Sequence, residues 1–449
     1  MTVRTLSRWV DRLLKGLVTM ECPRMEILRR DFEPPVFVGS GRIVINKNTH
    51  MHFVMHGTPG DGSDALKKIV AAQNNPYDHQ HQFRMNAVDY DGTEWSGGWT
   101  TLRTGEIVGG IWQLWGDIQA LYTGASGFGV SERNGVELVY DSPLRFPIPA
   151  NMVKTVYRDD QQVFSSRSAG VKVLDVLDTK IEFFKSVGHE HVWAVADASH
   201  ALPHPHLENW LSEPLNLLLG EVVSPRLIAR NKGDGTAAIS LHPSSTYSTS
   251  SLVACILRED PLGAGERFWN LYRNILTLVA TTRDAAGHRN FEAHPLTRYY
   301  WEIIQATKGS NWVLCMTLAS TVEGIVKMMF SQDERKSDWP ESDVLGLRKV
   351  VDGWQGNNDL RSRVLNYLDS FKMKGVAGTL KSLIGAGCIT TEQVDAWVRI
   401  RNSSMHGEMA MPWSDEGQDA RIGNLIELTH RLSEDYIKRE LEKRAAGPH

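Results

Sequence analysis

The pattern of apolar residues changes once along this 449-residue chain, near Gly263. From about Asp31 to Pro243, short segments rich in Val, Ile and Phe alternate apolar with polar residues between Gly, Pro and Asp, which is typical of β-strands. After Gly263, the apolar residues recur with a helical period between short breakers. The predicted fold class is therefore α+β, with a β-rich N-terminal region followed by a C-terminal α-helical bundle.

Three segments follow from this change of pattern: an N-terminal amphipathic segment over 1–30, a β-rich domain over 31–250 and a helical region over 260–449. The β-rich part should contain at least one helix, in "HLENWLSEPLNLLLGEVV", that stops at Gly220. A strand pair should follow it, joined by a Gly-Asp-Gly turn. In the second half the pattern predicts helices over 264–284, 296–308, 311–331, 342–353, 358–374, 376–385, 391–406 and 417–444.

The opening "MTVRTLSRWVDRLLKGLVTM" is basic and amphipathic, and its charged residues interrupt any signal-peptide core. It is interpreted either as a surface helix or as translation begun upstream of a true start at Met20 or Met25, which leaves open whether residues 1–19 belong to the native protein.

Charge and cysteine content limit the classes of function. The formal net charge of −4 excludes a basic field over the whole protein, so a nucleic acid would need a local basic patch. The four cysteines are scattered without the spacing of a zinc site or a disulfide framework, which favours a reducing cytoplasm. Because no run of about 18 apolar residues occurs, no membrane span is expected.

One short stretch, "RIRNSSMHGEM", carries candidate chemistry. It ends a predicted helix that opens with a capping box at Thr390 and stops at Gly407. Val394, Trp397, Val398 and Met405 share one apolar stripe of this helix, and Arg401 falls in the middle of the stripe. A buried guanidinium requires a partner, so something anionic is expected opposite Arg401. Asn402 lies four residues before His406 and could hold its imidazole in one tautomer.

An arginine followed five positions later by a histidine occurs four times, so spacing alone does not choose among the matches. The pairs are Arg283 with His288, Arg289 with His294, Arg401 with His406, and Arg444 with His449. The first two lie in "RDAAGHRNFEAHP", a predicted loop, and the last lies at the end of the chain. Arg289 with His294 is the strongest competitor because an asparagine again follows the arginine. Arg401 and His406 alone share a capped helix with a packed face, which is the rigid support that a site needs.

The stretch at 399–409 resembles the Arg-Asn-x3-His-Gly signature of the HEPN superfamily of ribonucleases. "MTLASTVEGIVKMMF" is similar to an early helix of that family, with Glu323 and Lys327 in place of its Glu-x3-Lys/Arg feature. The segment "NWLSEPLNLLLGEVVSPRLIAR" after a β-rich half resembles large ApeA-like HEPN proteins of bacterial anti-phage defence. The resemblance implies a HEPN domain over about 296–444, with Glu323 and Lys327 as possible supporting residues.

These residues suit metal-independent cleavage of RNA. Histidine can remove the proton of the 2′-hydroxyl or protonate the leaving 5′-oxygen, and arginine can bind two phosphate oxygens. Since acid and base must act on opposite sides of the phosphorus, one His406 is insufficient and a homodimer or higher homo-oligomer is expected. The resemblance implies 2′,3′-cyclic phosphate and 5′-hydroxyl products, no cofactor, an RNA substrate such as tRNA or another structured RNA, and a possible phage-derived trigger.

Simpler interpretations stay open. Arg401 and His406 could merely compensate the carbonyls at a helix C-terminus. The helical bundle could bind RNA or a partner protein without cutting, with ligand sensing by the N-terminal domain. Tryptophans of the β-rich half could form a ligand platform or a core. Histidine pairs at 50 and 52, 79 and 81, 189 and 191, and 204 and 206 have no nearby residues to complete a metal site, and no metal is expected.

Overall fold

The computed structural model confirms the α+β class, with strands in the N-terminal part and helices in the C-terminal part. The residues that the structure describes are 4–14, 16–29, 33–46, 50–60, 64–75, 77–78, 80–141, 146–148, 152–158, 161–168, 170–185, 191–243, 264–284, 286–337, 339–371, 373–405 and 416–446. The chain divides into two compact units, of which the β unit comprises Met1–Glu213, Val222–Tyr247 and Asp260–Trp269. The helical unit comprises Pro214–Glu221, Ser248–Glu259 and Asn270–His449.

Sixteen strands are described, all in the β unit. They are β1 Val18–Leu28, β2 Phe37–Ile45, β3 Met51–Pro59, β4 Arg84–Val88, β5 Glu94–Gly97, β6 Arg103–Val108, β7 Ile111–Ile118, β8 Leu121–Ser126, β9 Asn134–Asp141, β10 Met152–Arg158, β11 Gln161–Ser168, β12 Val171–Val176, β13 Thr179–Lys185, β14 His191–Asp197, β15 Leu227–Lys232 and β16 Thr236–Leu241.

Fourteen of the described strands form one antiparallel sheet. Their order is β12-β13-β14-β9-β15-β16-β8-β5-β4-β1-β2-β3-β7-β6, and β10 pairs with β11 separately. Alternate residues of strands such as β3, β4 and β16 are buried, because successive side chains of a strand point to opposite faces. Strands β9 and β14 are instead buried on both faces. The buried face forms a core with residues such as Phe53, Met85 and Leu121.

The turn between β15 and β16 follows the prediction. Gly233 and Gly235 both have positive φ, at +79° and +75°, which glycine adopts without a steric penalty. Leu227 pairs with Leu241 and Asn231 with Ala237, so the register closes on the Gly-Asp-Gly turn.

Residues of the predicted segment over 1–30 belong to the β unit. Helix α1, Ser7–Leu13, is amphipathic as predicted, because Trp9 and Leu13 are buried in the core of the β unit while Ser7, Arg8 and Asp11 are exposed. Strand β1 lies between β2 and β4 and pairs with both. A start at Met20 or Met25 would remove α1 and part of an interior strand. The apolar side of α1 therefore packs against this core.

The described helices after residue 263 agree with the predicted spans to within a few residues at each end, and so does the helix predicted before Gly220. The helix over 65–74 was not predicted. The two others of the N-terminal half are α2 Ala65–Asn74 and α3 Leu207–Leu219. The remainder are α4 Ala264–Thr281, α5 Pro295–Ala306, α6 Asn311–Met329, α7 Glu341–Asp352, α8 Asn358–Ser370, α9 Val376–Gly385, α10 Thr391–Met405 and α11 Glu416–Ala445. Gly220, with φ of +63°, ends α3 as expected.

Helix α6 lies at the centre of the helical unit, where it packs against α5, α9, α10 and α11. It is the one described helix that is long and apolar enough to cross a bilayer, although half of its apolar window is buried inside the protein. Residues such as Leu318, Val322 and Ile325 are fully buried. The buried side of α6 is the side that packs against the neighbouring helices.

Candidate functional site

Helix α10 is held on α6 by two polar contacts that lie one helical turn apart on both helices. The indole Nε1 of Trp397 donates a hydrogen bond of 3.1 Å to the carbonyl oxygen of Ala319. Four residues further along each helix, Nε of Arg401 donates to Oε1 of Glu323 at 3.1 Å. Because Trp397 is buried and Arg401 lies nearer the surface, the first contact anchors the helices and the second lies at the edge of their interface.

The capping box at the start of α10 sets the position of that helix locally. The Thr390 backbone N–H donates to Oε1 of Gln393 at 3.0 Å, and the Gln393 backbone N–H donates to Oγ1 of Thr390 at 3.4 Å. Val394, one turn before Val398, is buried with Trp397. The apolar stripe that the sequence predicts is thus the face of α10 that packs within the helical unit.

Arg401 is not a fully buried charge, which differs from the expectation. Its side chain is 43% exposed and its anionic partner, Glu323, belongs to the same chain. Glu323 is 28% exposed, and its other oxygen lies 4.0 Å from Nζ of Lys327. The carboxylate therefore lies between two cations, Arg401 at its Oε1 and Lys327 at its Oε2.

The Arg401 guanidinium is oriented through one of its three nitrogens. Only Nε bonds Glu323, and within the described part of the chain neither terminal nitrogen forms a hydrogen bond. These two nitrogens can together donate to two oxygens of one phosphate. Glu323 consequently fixes the direction of the guanidinium without occupying the pair of donors that a phosphate requires.

Some of the predicted site residues lie together in the structure, and others are not among the described residues. Arg401, Glu323 and Lys327 are adjacent, although Arg401 is 78 positions from Glu323 in the chain. Asn402 is exposed on the next position of α10. His406 and Gly407 lie outside the described residues, which reach Met405 at the end of α10.

The strongest competing histidine, His294, has a structural role. It is 3% exposed and forms the N-cap of α5, where its Nδ1 accepts a hydrogen bond of 3.1 Å from the Leu296 backbone N–H. Burial, with a smaller contribution from the positive charge of Arg444, lowers the pKa of His294 from 6.5 to about 4. The sequence held a signal for this role, because Pro295 occupies the first helical position, where proline is favoured.

The other two matches also lack the features of a site. His288 is exposed in the turn between Arg283 and Arg289, close to the Asp284 carboxylate. Arg444 is half-buried, and its guanidinium donates to the carbonyl oxygen of Leu278 and to Oγ1 of Thr282. Arg444 thus joins α11 to α4, and His449 lies outside the described residues.

A buried polar cluster in the helical unit was not predicted. The hydroxyl of Tyr300 lies 2.8 Å from Nδ1 of His430 and 3.2 Å from Oγ of Ser433. All three side chains are almost completely buried, so they join α5 to α11 beneath the surface. Tyr300 is 130 positions from His430 in the chain, so no local sequence pattern predicts this cluster.

The β unit carries a separate cleft of about 780 Å³, which is lined by strand residues and by Glu208 and Asn209 of α3. Arg24, Glu94, Tyr122, Arg230 and His242 are among its lining residues. Burial, followed by the charge of Arg226, lowers the pKa of His242.

The tryptophans considered as a ligand platform are Trp95, Trp99, Trp112 and Trp115. Trp95 is buried, and its indole Nε1 donates to the carboxylate of Asp89 at 3.0 Å. It therefore belongs to the core. Among the residues that the structure describes, no group of three or more His, Cys, Asp or Glu is close enough together to hold a metal ion. Two histidines of the pairs noted in the sequence, His79 and His189, lie outside the described residues.

Comparison with models of known families, with curated proteins and with solved structures finds no match for this chain.

Proposed function

We propose that this chain is a metal-independent endoribonuclease of the HEPN type whose site is built on α6 and α10. The supporting observation is the contact between Arg401 and Glu323 at 3.1 Å. The sequence resemblance selects these residues in two separate segments, and the fold brings them side by side.

In the proposed mechanism, Arg401 binds two oxygens of the scissile phosphate through its terminal nitrogens and stabilises the charge that grows in the transition state. Glu323 positions Arg401, and Lys327 adds a positive charge that offsets the Glu323 carboxylate. His406 supplies the proton transfer, and Asn402 on the exposed side of α10 orients it. The nucleophile is the 2′-hydroxyl of the substrate, so DNA is not cut.

The active form is a homodimer or higher homo-oligomer, because one subunit supplies one His406 while acid and base act on opposite sides of the phosphorus. The partly exposed position of Arg401 leaves its guanidinium accessible to RNA and to a second subunit. Cleavage yields 2′,3′-cyclic phosphate and 5′-hydroxyl ends. We place the activity in the cytoplasm of a bacterium, as an anti-phage effector that causes abortive infection after a phage-derived trigger.

The test measures cleavage of a mixed RNA by the full chain in EDTA, with analysis of the product ends. His406→Ala should lower the rate about 10²- to 10⁴-fold, and Arg401→Ala should lower it about 10²- to 10³-fold. Arg399→Ala is the matched control, since Arg399 is an exposed arginine on the same helix. Unchanged cleavage by the Arg401→Ala protein would reject the proposal.

Substitutions of Glu323 provide a second, independent test of the proposed site. Losing a hydrogen bond to a charged group costs about 1.5–3 kcal/mol, so Glu323→Ala should lower the rate roughly 10- to 100-fold. Glu323→Gln keeps an acceptor oxygen for Nε of Arg401 and should retain most of the activity. Equal losses in both variants would show that the carboxylate charge, rather than the positioning of Arg401, is what the reaction needs.

A further inference from the structure

A cavity of about 1010 Å³ in the helical unit is lined by basic and aromatic side chains. Its lining includes the cations Arg335, Lys374 and Lys381 and the aromatic rings of Trp339 and Phe371. None of the described lining residues is acidic. In a chain whose formal net charge is −4, this is a local concentration of positive charge.

Two of the three cations have no described partner. The Nε of Arg335 is buried and forms no hydrogen bond within the described residues. Lys381, on α9, is exposed and forms no ion pair with any described residue. No described carboxylate neutralises the Arg335 guanidinium or the Lys381 ammonium, so both charges are available to an anionic ligand.

The backbone holds these residues in a fixed arrangement. The N–H of Lys374 donates to the carbonyl oxygen of Arg335 at 2.6 Å, which joins the two sides of the cavity. Helix α9 then begins after Gly375, whose N-cap position offers no side chain to the first turn. The positive end of α9 therefore adds to the charge of the lysines around it.

Trp339 supplies an exposed aromatic surface beside this charge. Its side chain is 66% exposed, although tryptophan side chains are usually largely buried. Phe371 lies in the same lining, with its ring 5.3 Å from that of Tyr367 in an edge-to-face contact. Exposed aromatic rings next to cations are the combination that single-stranded nucleic acids bind, through base stacking and phosphate contacts.

We propose that this cavity binds an unpaired segment of the RNA substrate, with phosphates on Arg335 and Lys381 and a base stacked on Trp339. It is a binding site separate from the residues that cut. Helix α9 packs against both α6 and α10, which carry Glu323 and Arg401, so RNA held here lies in the same helical unit as the proposed site. The inference rests on the proposed function for its choice of RNA as the ligand, and it names the substrate class as RNA with an unpaired strand.

The test uses the full chain carrying Arg401→Ala, so that RNA stays intact, and a fluorescein-labelled unstructured 12-nucleotide RNA. Anisotropy gives the affinity in EDTA at several salt concentrations. Trp339→Ala should weaken binding roughly 5- to 100-fold, the range that corresponds to one lost stacking contact. Lys381→Ala should reduce the slope of log affinity against log salt by about 0.7, the value for one phosphate contact on a single strand.

The matched controls substitute residues of the same types at positions outside the cavity. Trp354→Ala and Lys349→Ala remove an exposed tryptophan and an exposed lysine that lie outside the cavity, and both should bind as the parent protein does. Circular dichroism of each variant checks that the helices remain.

Three results would overturn the inference. The first is unchanged affinity and salt slope in Trp339→Ala and Lys381→Ala, and the second is equal affinity for a duplex of the same length. The third is a change in oligomeric mass without a change in RNA affinity, which would assign the cavity to a protein partner. If the Arg401→Ala protein still cleaves while Trp339→Ala loses RNA binding, the proposed catalytic residues fail and the binding cavity stands.

Discussion

Acidification should destabilise the helical unit through one residue, His294. The neutral imidazole accepts the N-capping hydrogen bond from the Leu296 backbone N–H, and its protonated form has no lone pair left for that bond. The ring is buried, and Arg444 adds an unfavourable positive charge nearby. Both effects favour the neutral ring in the folded protein.

The magnitude follows from the pKa of His294, which is lowered from 6.5 to about 4. The unfolded chain takes up its proton near pH 6.5 and the folded chain only near pH 4, so the unfolded state binds more protons between these values. Stability contributed by His294 is therefore complete above about pH 6.5 and is lost as the pH falls towards 4. At about 1.4 kcal/mol per tenfold change in proton affinity, the loss is about 3 kcal/mol.

The assay compares the wild type with His294→Asn by urea unfolding, followed by far-UV circular dichroism from pH 7.5 to pH 4. Asparagine is a favoured N-cap residue that does not titrate, so it keeps the cap and removes the pH dependence. The wild type should lose about 3 kcal/mol more than the variant over this range. Parallel loss of stability in both proteins would refute the assignment of a neutral, buried cap to His294.

Two further predictions concern packing. Trp9→Ala should lower the free energy of unfolding of the β unit by about 3–5 kcal/mol in chemical denaturation, because Trp9 is 2% exposed in its core. A stable variant would mean that α1 is dispensable. Trp397→Phe should lower the free energy of unfolding by about 1–3 kcal/mol in thermal or urea unfolding, because it leaves the Ala319 carbonyl oxygen without its indole donor. The control is Trp354→Phe, at an exposed tryptophan, which should have a near-wild-type stability.

Features that arise between close neighbours in the chain could be predicted from the residue pattern. The helices of the C-terminal half lie where their apolar period predicts, and Thr390 and Gln393 form the predicted capping box. Gly220 ends α3, and the glycines of the Gly-Asp-Gly turn have the positive φ that a tight turn requires. These features could be read from the sequence because each arises within a few residues from steric limits or a local hydrogen bond.

Which distant residues meet depends on tertiary packing, which the residue pattern does not show. The sequence indicated the amphipathic opening helix, but it did not show that the next segment, β1, lies inside the sheet, because strand pairing joins segments that are far apart in the chain. The sequence likewise indicated that Arg401 needs an anion, and packing of α10 on α6 selected Glu323 and left the guanidinium partly exposed. Burial of His294 also depends on residues of α11, so its proton affinity is a property of the folded unit and not of the local sequence.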